Sequence, residues 1–105
     1  MSLNKHYRED GMVAILYSPG YGAGWFSWNR ETPACLFEAE IVSMVLAETH
    51  ADEIAARAKE LWPTGYWNGA RDLKIRWMPP GCSFRVEEYD GFEAFDYCGD
   101  DVQVA

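Results

Sequence analysis

Two stretches hold the residue types that could grip a ligand. Residues 18–28, SPGYGAGWFSW, place Gly20, Gly22 and Gly24 among Tyr21, Trp25, Phe26 and Trp28. Residues 64–72, TGYWNGARD, bring Tyr66, Trp67, Asn68 and Arg71. Glycines spaced by two allow positive φ and let a row of backbone N–H groups face an anion. Tyr21, Trp25, Tyr66 and Trp67 offer flat faces on which a base could stack, at roughly 1–3 kcal/mol per ring. Arg30 and Arg71 could clamp a phosphate bidentately, and Asn68 could read a polar edge. The expected contact set for a small nucleotide-like ligand is therefore Gly20, Tyr21, Gly22, Gly24, Trp25, Arg30, Tyr66, Trp67, Asn68 and Arg71. The same residues have a plainer reading, in which the rings complete a small core and the glycines only turn the chain. GYGAGW is not a dinucleotide motif, since Trp25 stands where GxGxxG needs its third glycine, and no P-loop lysine follows.

Catalytic chemistry has less to work with. The two histidines, His6 and His50, form no HxxxH or HExxH pattern, and Ser18 and Ser27 have no evident base. No catalytic or metal-ligating residue is assigned and no cofactor is expected; an enzyme working with carboxylates alone, such as a small nucleotide hydrolase, stays open. The last third concentrates acid: Glu87, Glu88, Asp90, Glu93, Asp96, Asp100 and Asp101. These could imitate a phosphate ladder in a basic protein groove, or hold a hard cation at Glu88 and Glu93. Their plainer reading is a solvated charged face.

The net charge of −8 is unevenly spread. Residues 1–50 carry three basic and six acidic groups, residues 51–80 five and four, and residues 81–105 one and seven. Long nucleic acid is a poor partner for such a molecule, and only the middle third offers an anion a favourable field. No run approaches the ~18 apolar residues of a membrane span, and no apolar leader is visible. Cys35, Cys82 and Cys98 are odd in number, far apart and in no CxxC. That pattern fits a reducing cytosol.

The elements that must position these residues can be read from periodicity. A chain of 105 residues makes one domain. Residues 1–11 read as a flexible arm, 12–98 as the domain and 99–105 as an acidic tail. Residues 12–17, MVAILY, form a buried strand. Thr32 and Pro33 make an N-cap and N1 pair, and residues 34–37 fit either an extended piece or a helical turn. A helix over residues 38–48 follows the spacing of Ile41, Val42, Val45 and Leu46. A second starts from Thr49 as N-cap with Asp52 at N3, and runs to Leu61 or Trp62 before Pro63. Glu53 and Arg57 fall at i,i+4 on its polar face. Residues 73–78 alternate as a strand, with Leu73, Ile75 and Trp77 on one side.

Residues 83–89 and 92–97 around Asp90-Gly91 read as a hairpin. Its register sets Tyr89 against Phe92, Glu88 against Glu93, Glu87 against Ala94, Val86 against Phe95, Arg85 against Asp96 and Phe84 against Tyr97. Phe84, Val86, Phe95 and Tyr97 then face the core, Arg85 pairs with Asp96, and the opposed Glu88 and Glu93 belong in solvent near the turn. The fold expected is α+β: a small two-layer domain, β-α-α-β-β-β, with a mixed four-stranded sheet and two helices on one face.

SPGYGAGW after the first strand, ELWPTGYWNGARDLKIRW in the middle and EEYDG in the hairpin resemble a group of small uncharacterised phage and prophage proteins. The resemblance covers residues 13–97 and implies a phage-encoded accessory protein of the host cytosol, with no activity or catalytic residue to carry over. Together with the two loops it leads to a non-enzymatic, anti-defence type of binding protein that sequesters a small nucleotide-like molecule, several copies associating to wall the pocket. The alternatives are a protein–protein inhibitor that lays its acidic hairpin on a basic host surface, and the small hydrolase named above.

Overall fold

The computed structural model describes residues 4–20, 24–89, 92–96 and 103–105, with the side chains of Tyr89 and Asp96 left aside. It is a two-layer α+β domain, and every element owes its place to one shared core. Strand β1, Val13–Tyr17, is apolar at four consecutive buried positions, as a strand covered on both faces must be. It pairs antiparallel with β2, Lys74–Met78, from Val13 opposite Met78 to Tyr17 opposite Lys74. On β2 the exposed Lys74 and Arg76 alternate with the half-buried Ile75 and Trp77.

The chain between these strands builds the helical layer. Thr32 precedes Pro33 at the start of a short 3-10 helix, Pro33–Leu36, which resolves the ambiguous stretch. Helix α1, Ala39–Leu46, buries Ile41 and Val42 and is capped by the Glu38 carboxylate on the Glu40 N–H. Helix α2, Ala51–Leu61, buries Ile54 and Ala58. Its N-cap is His50, whose Nδ1 accepts from the Asp52 N–H at 3.1 Å, where the sequence favoured Thr49. Arg57 joins the two helices: it hydrogen-bonds the Glu40 carboxylate and lies 3.5 Å from Glu60, rather than pairing with Glu53.

The remaining strands form a second sheet, so the single mixed four-stranded sheet is replaced by two antiparallel ones. Strand β3, Ser83–Tyr89, pairs with β4, Phe92–Asp96, in the expected register at all five described pairs. The sixth, Phe84 with Tyr97, and the Asp90-Gly91 turn lie outside the described residues. The other edge of β3 is taken by β5, Gln103–Val104, and not by β2. Ala105 is buried beside it, its N–H on the Cys82 carbonyl at 2.9 Å and its own carbonyl accepting from Gly81 at 2.7 Å. The end of the expected acidic tail is thus part of the fold. So is the described part of the expected arm, residues 4–11. Tyr7 bridges Val13, Ala14 donates to the His6 carbonyl and Ala39 to that of Asn4. One apolar cluster runs from β1 through Phe37, Ile41 and Ile54 to Phe84, Val86 and Ala105.

Candidate functional site

The two glycine-aromatic loops meet. Gly24 and Gly69 bring the two backbones together: a Cβ on Gly69 would fall within 3.0 Å of the Gly24 carbonyl. Neither is in the positive-φ region, which among the described glycines holds only Gly11 and Gly81. Here glycine serves to let two backbones touch, not to turn the chain. Asn29, buried at the end of the first loop, stitches the contact. Its Nδ2 donates to the carbonyls of Trp25 at 2.6 Å and Tyr66 at 2.7 Å, and its Oδ1 accepts from the Tyr66 N–H at 2.7 Å.

Two of the three indoles in the loops turn inward. Trp25 is 0% and Trp67 5% exposed, and their rings lie 4.9 Å apart. Trp62 also lies against Trp67, with ring centroids 5.2 Å apart. Each buried N–H finds a carbonyl, Trp25 Nε1 that of Cys35 at 2.6 Å and Trp67 Nε1 that of Trp62 at 3.0 Å. These two rings are core, and no slot opens between them.

The N–H groups of the first loop do hold an anion, and the anion is the chain's own. Glu93, 1% exposed, accepts from the Ser18 N–H at 2.7 Å through Oε1. Its Oε2 accepts from the Trp25 N–H at 2.8 Å and from the N–H and hydroxyl of Ser27, both at 2.7 Å. Placing Glu93 in solvent, or with Glu88 around a cation, is therefore overturned. The register of the hairpin is compatible with burial, since Glu93 shares a face with Val86 and Phe95, although its opposite number Glu88 on that face is exposed. The same carboxylate reaches the interior electrostatically. Burial first, then the Glu93 charge, push the Cys35 thiol well above its ordinary range.

What remains open to solvent is a different pair of rings. Trp28, 40% exposed, and Tyr66, 47% exposed, stand 5.1 Å apart and tilted by 37°. Both are held. Trp28 Nε1 donates to Glu88 Oε2 at 2.9 Å, and the Tyr66 hydroxyl accepts from Asn68 Nδ2 at 2.8 Å. Beside Trp28 lies an open groove of about 340 Å³, with Arg30, Glu31 and Thr64 in its walls. Arg30 is not a free clamp, since it donates to the Val86 carbonyl at 3.0 Å and covers the Phe26 ring.

Of the ten residues expected to contact a ligand, Tyr66 and Asn68 lie on this face and Arg30 in the wall of its groove. Gly24, Trp25 and Trp67 are in the core. Gly20 packs on the Asp72 carboxylate, where a Cβ would not fit. Arg71 is on another surface, beside the link between the helices. Tyr21 and Gly22 lie outside the described residues. Glu93 could have been found from the alternation of β4; for Asn29 the sequence carries no signal. Among the described residues no three His, Cys, Asp or Glu side chains are grouped to hold a metal ion, and no helix is long and apolar enough to cross a membrane. Compared with known proteins, the chain matches no family model, no curated protein and no solved structure.

Proposed function

We propose that this chain is a non-enzymatic protein-binding domain whose contact face is the Trp28–Tyr66 ring pair with the acidic strand β3 beside it. The bond from Trp28 Nε1 to Glu88 carries the reading, because it joins an exposed aromatic anchor to the most acidic part of the chain. Trp and Tyr dominate binding energy where they are rigid and central to an interface, and both rings here are already fixed by hydrogen bonds. Glu88 is exposed on β3 and would steer a basic surface toward it, while Glu87, exposed on the opposite face of the strand and paired with Arg85 at 2.7 Å, adds only to the wider acidic field. The partner is a protein whose Arg or Lys residues surround an apolar hollow. In the phage setting implied by the loop motifs it is a host protein met in the cytosol. Sequestration of a nucleotide-like molecule draws less support, since its two indole walls are buried and its N–H cradle is filled.

Affinity capture from host lysate tests this with three baits: the wild type, Trp28→Ala, and Glu87→Lys with Glu88→Lys. A partner retained by the wild type, lost by both variants and released by moderate salt is the expected result. A partner that ignores all three changes overturns it. So does a nucleotide released by heat from wild type and variants alike, which returns the sequestration reading.

A further inference from the structure

Away from the ring pair, a second groove of about 360 Å³ lies where the link between α1 and α2 faces the 3-10 segment Asn68–Asp72 and the start of β2. Its floor is apolar, with Ile54, Ala70 and Leu73 buried beneath it. Its rim carries Arg71, Lys74 and Glu48. The three share one groove yet make no ion pair within 4.0 Å, and neither cation has a hydrogen bond among the described residues. Two cations against one acid leave this rim at +1 on a molecule of net charge −8. Glu48 holds φ at 58° as the left-handed residue that ends α1.

We infer that this groove binds small amphiphilic anions, a carboxylate or phosphate head between Arg71 and Lys74 with a short apolar body on the Ile54–Leu73 floor. Unneutralised cations give the head its attraction, and the floor supplies the area that selects for a tail. Glu48 is the internal competitor that keeps affinity modest and rejects molecules without a full charge. The site is independent of the protein-binding face and stands whether or not that face has a partner.

The test is titration of the labelled protein with octanoate, octyl phosphate, inorganic phosphate and the neutral octyl glucoside, read by backbone amide shifts. Saturable shifts at Thr49, Ala70 and Leu73 with octanoate or octyl phosphate are expected, and the stronger of the two identifies the head. Inorganic phosphate should bind more weakly, and octyl glucoside should not saturate. Replacing Arg71 and Lys74 by Ala together should weaken binding by roughly tenfold or more. Both are exposed, so the fold should persist, as an unchanged melting temperature would verify. Glu48→Gln should tighten binding severalfold. No saturable shift, equal binding of octyl glucoside, or a double variant that binds like the wild type each overturns the proposal.

Discussion

Ser18 and Glu93 close a two-bond ring across 75 positions of sequence: the Glu93 N–H donates to the Ser18 carbonyl at 2.7 Å, and the Ser18 N–H returns to Glu93 Oε1 at 2.7 Å. Removing the carboxylate leaves three main-chain N–H groups and the Ser27 hydroxyl without their acceptor. Each unsatisfied buried donor costs about 1–3 kcal/mol. Glu93→Ala should therefore lower folding stability by about 3 kcal/mol or more, and Glu93→Gln by less, since one oxygen survives. Urea unfolding with comparable slopes measures it; an unmoved midpoint would mean that this carboxylate does not hold the loop.

Gly69→Ala should be costly although nothing about its φ requires glycine. The added methyl meets the main-chain carbonyl of Gly24, which cannot rotate away as a side chain would. A loss of about 1–3 kcal/mol is expected, with a change in tryptophan emission as Trp25 and Trp67 shift. A wild-type melt and spectrum would remove the close contact from the account.

Glu48→Gly should do the opposite. Thr49 N–H bonds the Met44 carbonyl and Glu48 N–H that of Val45, so α1 ends in the doubly bonded left-handed cap that normally carries glycine. Relief of the strain should add about 1 kcal/mol, or about 4–8 °C in Tm for a chain of this size. Glu48→Val should destabilise, because a branched side chain tolerates this φ worst. Calorimetry on the two variants gives the sign directly.

The bridge between the helices predicts an acid-sensitive contribution. The hydrogen bond from Arg57 holds the Glu40 carboxyl below its usual range. A group depressed in the folded state adds stability that is fully present above its unfolded pKa, about 4.3 for Glu, and is lost as pH falls through its lower folded value. Glu40→Gln should thus melt below the wild type at pH 7, and the gap should close toward pH 3. A gap independent of pH would assign the effect to packing instead.

Local pattern made much of this fold legible. The alternation around Asp90-Gly91 set five strand pairs correctly, and the 3.6 period placed Ile41, Val42, Ile54 and Ala58 inward. The order of the strands was beyond it. That β5 takes the free edge at Ser83 and Phe84, keeping β2 apart, depends on where distant segments fall in space. The candidate site failed in an instructive way. Donor N–H groups and flat rings were read as a recognition kit for an outside ligand, but residue types show only that an acceptor is wanted, not whether it comes from outside. Glu93 supplied it, and the buried indoles recognise each other.

Trp28, Tyr66 and Glu88 come from three remote segments, and the ties that set them, Asn29 and Glu93, span 37 and 75 residues. No short fragment can therefore display the proposed epitope, and an excised hairpin peptide would present acid without its rings. Such long-range closure is slow to form. A partner of the proposed kind, gripping that surface, would report on the integrity of the segments that build it, and by mass action would shield the chain from unfolding and proteolysis.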